Sequence, residues 1–187
     1  MCKPAEHRFR KYHNFLPPPK FANTNVDLPA LPAEAYRLVE DKSIYGIMDI
    51  GGDDRGAYAL GRYVPSILEE NDYRMIFVAN CYRPLTRTPE EALEVMREIE
   101  EACGLRFTDI INNSNLAAET TPETVLQSAG YVEALSRLSG LPVFATSAME
   151  TVASELTQKL ENVLPMQLQE KYFDLPSQKP ISRPLWG

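Results

Sequence analysis

"YRMIFVANCYRPLTRTPEEALEVMREIEEACGLRFTDIINN", residues 73–113, decides the fold. It begins with a short apolar run, residues 73–80, suited to a strand buried on both faces. Thr88-Pro89-Glu90-Glu91 then supplies a helix start: an N-cap threonine, proline at the first helical position and a capping-box glutamate. Leu93, Met96, Ile99 and Cys103 recur at helical spacing as an inward stripe, and Gly104 is the stop. A second apolar run, residues 107–113, follows. Strand, helix, strand in that order is a βαβ unit, which joins parallel strands.

Working outward, the alternation continues. "SIYGIMDI" (43–50) and "LPVFATS" (141–147) are further buried-strand candidates. Residues 55–70 place Ala57, Leu60, Val64 and Leu68 on one helical face, with Pro65 expected to bend or break the helix. Thr121-Pro122-Glu123 repeats the helix start ahead of Val125, Leu126, Ala129, Val132 and Leu135, with Gly140 as the stop. A last helix is expected over about 148–162. The pattern predicts a three-layer α/β domain, a mostly parallel sheet with helices on both faces. It divides the chain into an irregular basic, proline-rich leader (1–26), the α/β domain (27–165) and a C-terminal tail (166–187).

Composition narrows the function. A net charge of −7 argues against a nucleic-acid or membrane surface, either of which calls for a basic balance. Residues 1–20 carry +4 and the remainder −11, so a basic character is confined to the leader, where three prolines in a row suit a solvated tail. The three scattered cysteines form no CxxC and suit a reducing cytoplasm. Both histidines, His7 and His13, lie in the leader, so the body offers neither Ser-His-Asp nor Cys-His catalysis. No apolar stretch has the roughly 20 residues of a membrane span.

In open parallel sheets ligands bind beyond the carboxyl ends of the strands. Those ends read Asp49-Ile50-Gly51-Gly52-Asp53-Asp54, Asn80-Cys81-Tyr82-Arg83, Asn112-Asn113-Ser114-Asn115 and Thr146-Ser147. Strand ends are polar wherever they surface, but four together point to a ligand-binding edge. Asp49, ending an apolar run, has the position of a carboxylate that holds magnesium beside a phosphate. Gly51 and Gly52 would let backbone approach a γ-phosphate, and Asp53 or Asp54 could orient water. The same residues also make an ordinary βα turn with Asp53 or Asp54 as N-cap. The partner motif GxxxxGK[ST] is not in the sequence. Its nearest spacing is Gly51 to Gly56, followed by Ala57 and Tyr58, and none of the seven lysines follows a glycine.

"MDIGGDDRGAYALGRY", "FVANCYRPLTRTPEEALEVMREIEEACGL" and "IINNSNLAAETTPETV", in this order and spacing, resemble nucleotide-binding proteins of the MinD/ParA/CobQ-like branch of P-loop NTPases. "NVDLPALPAEAY" resembles the segment that family carries before its DxGG strand, and the likeness runs over residues 25–165. The family's glycine-rich loop and lysine have no counterpart, and Met1–Asn25 resembles neither that strand nor the one after it. The resemblance implies a bacterial, cytoplasmic, ATPase-type protein of which this chain is the C-terminal part. It implies Asp49 and Asp53 on the magnesium side, Gly51 and Gly52 as the phosphate-sensing turn, and Asn112 or Asn113 at the adenine, Asn113 preferred. Arg83 would face a phosphate or a partner subunit. ATP and magnesium are then expected only with a complementary P-loop-bearing segment, hydrolysis by this chain alone is not expected, and the partner is a P-loop-bearing N-terminal half or further copies of the chain. Two other readings stand beside it: a degenerate, non-catalytic α/β interaction module, and an unrelated magnesium enzyme built on Asp49, Asp53 and Asp54.

Overall fold

The structure, a computed structural model, describes residues 36–51 and 54–167. The leader, nearly all of the expected tail, and Gly52 and Asp53 lie outside the described residues. The described residues fall into two compact units: those up to Tyr73 with Glu98–Leu105, and Arg74–Arg97 with those from Arg106 onward.

The first unit contains α1 (Arg37–Glu40), α2 (Asp54–Leu60) and α3 (Val64–Glu70). The expected helix over 55–70 is two helices. Proline at position 65 sits in the first turn of α3, where a missing N–H leaves no bond unmade. Asn71, at φ +51°, ends α3 in the left-handed conformation. Ala57 and Leu60 are buried as expected, but Leu68 is exposed; Tyr63 is buried instead, its ring 4.7 Å from that of Tyr36.

The expected strand over 43–50 does not form. Residues 44–51 pair with no strand among the described residues, and Tyr45 and Ile47 are 98% and 90% exposed. An apolar run becomes a strand only when a neighbour takes up its backbone N–H and C=O groups. The backbone passes close to other backbone at Gly46 and Gly56. A methyl group on Gly46 would lie 2.9 Å from the Leu38 carbonyl oxygen, and one on Gly56 would lie 2.8 Å from that of Gly51. Backbone here rests on backbone, which only glycine permits.

The second unit is the parallel α/β half of the molecule. Its strands are β1 (Ile76–Ala79), β2 (Asp109–Asn112), β3 (Val143–Met149) and β4 (Val163–Met166), hydrogen-bonded in the order β1-β2-β3-β4 with every pair parallel. Between them in sequence run α4 (Pro89–Cys103), which belongs to this unit only as far as Arg97, α5 (Pro122–Gln127), α6 (Ala129–Ser139) and α7 (Glu150–Leu156). The α/β class and parallel sheet are as the βαβ pattern requires. At α4 the capping box is present: Thr88 N–H donates to Glu91 Oε2 at 3.0 Å and Glu91 N–H to Thr88 Oγ1 at 3.2 Å. Met96, Ile99 and Cys103 are buried, joined by Ala92, and Gly104 at φ +80° ends the helix.

Three boundaries differ from expectation. The helix after Thr121 divides at Ser128 into α5 and α6. Residues 148 and 149 belong to β3, so α7 starts at Glu150 and is short. β4 was not expected at all; it carries Pro165, which the edge of a sheet tolerates because the missing N–H faces no neighbour. Val125, Ala148, Ala153 and Leu156 form a core joining α5, β3 and α7. No helix among the described residues is long and apolar enough to cross a membrane.

Candidate functional site

The carboxyl ends of β1, β2 and β3 meet in one polar network. Asn80, directly after β1, accepts the Tyr82 N–H on its side-chain oxygen at 2.9 Å, and its carbonyl accepts the Thr86 hydroxyl at 2.7 Å. Cys81 N–H donates to Ser114 Oγ at 3.1 Å, tying the turn after β1 to the turn after β2. Asn113 N–H reaches the Ala79 carbonyl at 2.7 Å, so the two strands stay joined one residue past β2.

Asn112 and Asn113 are adjacent, and strand alternation sends their side chains to different surroundings. Asn112 is 0% exposed. Its amide nitrogen donates to Ser128 Oγ at 2.8 Å and its oxygen accepts the Ser114 N–H at 3.2 Å. Both ends are therefore used in holding the β2–α6 junction. Asn113 is half-buried; its oxygen accepts from Ser147 Oγ at 2.7 Å and from Asn115 Nδ2 at 3.1 Å. Its own amide nitrogen donates to no group among the described residues. Of the two asparagines, Asn113 is the one with a group left for a ligand.

Arg83 lies between β1 and a short 3-10 turn, Pro84–Thr86. It is exposed, and its guanidinium makes no ion pair or hydrogen bond among the described residues. Deeper in the unit, the Tyr131 hydroxyl is buried without a hydrogen-bond partner of good geometry. Burial pushes this phenol up to about 12; Cys81 adds to the rise, and nearby Thr86 opposes it.

Asp49 and Gly51 belong to the first unit, both exposed, in the unpaired segment before α2. Among the described residues no group of three or more His, Cys, Asp or Glu side chains could hold a metal ion. No chemical step is routed through a metal.

Ser114, Asn115 and Ser147 were visible as strand-end residues, but not their roles. Ser128 carried no signal, because a serine between two helical stretches reads as an ordinary junction. Compared with protein-family models, curated proteins and solved structures, the chain matches none.

Proposed function

We propose that this chain is the C-terminal part of a MinD/ParA/CobQ-like, ATPase-type nucleotide-binding protein. The resemblance gives it Asn112 or Asn113 for the base and Asp49 to Asp53 for the magnesium and switch roles. The chain does not hydrolyse ATP alone, because the residues that cradle a triphosphate are supplied by a P-loop-bearing partner. The observation that carries this reading is Asn113, the group with an unused donor at the carboxyl ends of parallel strands, where such sheets bind ligands. Arg83 adds an exposed cation after the neighbouring strand.

The test is a titration with magnesium and ATP, first of the chain alone and then mixed with a candidate polypeptide bearing GxxxxGK[ST]. The candidate is taken from the adjoining reading frame. Affinity at least tenfold above that of either component alone is the expected result. Affinity on mixing no greater than that of the P-loop polypeptide by itself would reject the reading.

One observation favours a second reading, a non-catalytic interaction module. Tyr45 and Ile47 are almost fully exposed in an unpaired extended segment, a surface suited to a protein partner. Under that reading mixing produces no nucleotide affinity.

A further inference from the structure

We infer that Asn113 is a donor-only recognition group, its orientation locked by Ser147 and Asn115, so that it reads a hydrogen-bond acceptor on its ligand and never a donor. The inference rests on the nucleotide-binding reading and specifies which edge of the base that site can read.

The argument starts from a backbone N–H, whose identity as a donor is not open to choice. Ala117 stands at φ +52°, an uncommon conformation for a residue with a Cβ. Its N–H donates to Asn115 Oδ1 at 3.2 Å. That fixes which end of the Asn115 carboxamide is oxygen, because only an acceptor can face an N–H. The nitrogen of Asn115 must then point the other way, and it donates to both oxygens of Asn113, the carbonyl at 2.9 Å and Oδ1 at 3.1 Å. Turning the Asn113 carboxamide over would set two NH2 groups against each other. Asn113 Oδ1 therefore faces Asn115, and the Ser147 hydroxyl, whose one proton has this oxygen at 2.7 Å and the Asn112 carbonyl at 3.3 Å, gives it to the nearer acceptor as a second donor.

A carboxamide oxygen has two lone pairs, and here both are engaged. What remains is Nδ2, with two N–H bonds and no acceptor among the described residues. A free asparagine can grip adenine by both ends, donating to a ring nitrogen and accepting from the exocyclic amine. Asn113 can do only the first. On a purine the ring nitrogen it takes is N7, which ATP and ITP share, and an amine at position 6 finds no acceptor on it. Ser147 and Asn115 are positioning residues, acting on the ligand through Asn113.

Side-chain amide signals of Asn113, followed by NMR in the full chain mixed with the P-loop-bearing polypeptide at millimolar nucleotide with magnesium, test this directly. ATP and ITP, which carry an amine and an oxo group at the same ring position, are expected to move those signals with affinities within about threefold of each other. Ser147→Ala should weaken both at least fivefold with its melting temperature within about 2 °C of wild type, and Ser147→Thr, which keeps a hydroxyl, should restore binding. A preference for ATP over ITP above tenfold that is kept by 1-deaza-ATP, which lacks the N1 acceptor, and vanishes in Asn113→Ala would overturn the inference, since the oxygen would then be reading the amine. So would unaltered binding in Ser147→Ala. Nucleotide binding that shifts other residues and leaves Asn113 still defeats the inference alone. No shift at any residue with either nucleotide defeats both it and the reading beneath it.

Discussion

Arg74 clasps Asp109 through two hydrogen bonds, Nε to Oδ2 at 3.0 Å and Nη2 to Oδ1, at the foot of β1 and β2. The same guanidinium lies 4.3 Å from the centroid of the Phe144 ring on β3. Three neighbouring strands are thereby tied at the end opposite the polar network. Arg74 holds the Asp109 carboxyl below the ordinary aspartate value, against the opposing effect of burial, and the Thr108 hydroxyl helps it. A depressed folded pKa means that the carboxylate's contribution is complete above the unfolded value near 4 and is lost as pH falls through the lowered one. Arg74 is half exposed, so solvent screens the pair. Asp109→Asn is expected to cost about 1–2 kcal/mol at pH 7. Thermal melts of the two proteins should converge as the pH falls below about 4.

Tyr131→Phe should stabilise the protein. It removes a buried hydroxyl without a well-placed partner while keeping the ring, a gain of about 1 kcal/mol. The pH dependence has a definite sign. Since the folded phenol titrates at about 12 and a free tyrosine near 10, wild-type stability should fall as pH rises between those values. Denaturant melts at pH 8 and pH 11 should show that fall reduced in the variant.

The two adjacent asparagines should separate in a stability assay. Asn112→Ala leaves Ser128 and the Ser114 N–H facing an emptied, buried site and should cost about 2–3 kcal/mol. Asn113→Ala removes a half-exposed group and should cost less than about 1 kcal/mol. Urea denaturation of both variants gives the comparison.

β1 has no strand on its outer side among the described residues, and its four residues contain neither charge nor proline. Val78 on this strand is 57% exposed. Such an edge invites pairing between copies. The chain is therefore expected to self-associate at tens of micromolar, and Val78→Lys to shift it toward monomer in size-exclusion chromatography.

What could be read ahead of the structure was the part governed by neighbours in sequence. The Thr88–Glu91 cap, the stop at Gly104 and the βαβ order follow from contacts a few residues apart. The unpaired segment at 44–51 shows the limit of that reasoning, because a strand depends on a partner that local pattern cannot supply. β4 was hidden by its four-residue length and by Pro165. The candidate site was legible as a set of polar strand ends, but not as a geometry. Which end of Asn113 faces outward depends on Ser147, 34 positions away, and on an N–H set by the backbone angle at Ala117.

The contact between Gly51 and Gly56 bears on how this chain would be engineered. Replacing Ala57 and Tyr58 with lysine and threonine would spell out a phosphate-loop signature, GxxxxGKT, in full. Yet position 57 is 0% exposed, and Gly56 is pressed so closely on the Gly51 carbonyl that not even a methyl group fits. The new lysine would have to break out of the interior before meeting any anion. A search by spelling would accept the variant, and the expected outcome at the bench is a less stable protein with no gain in triphosphate affinity.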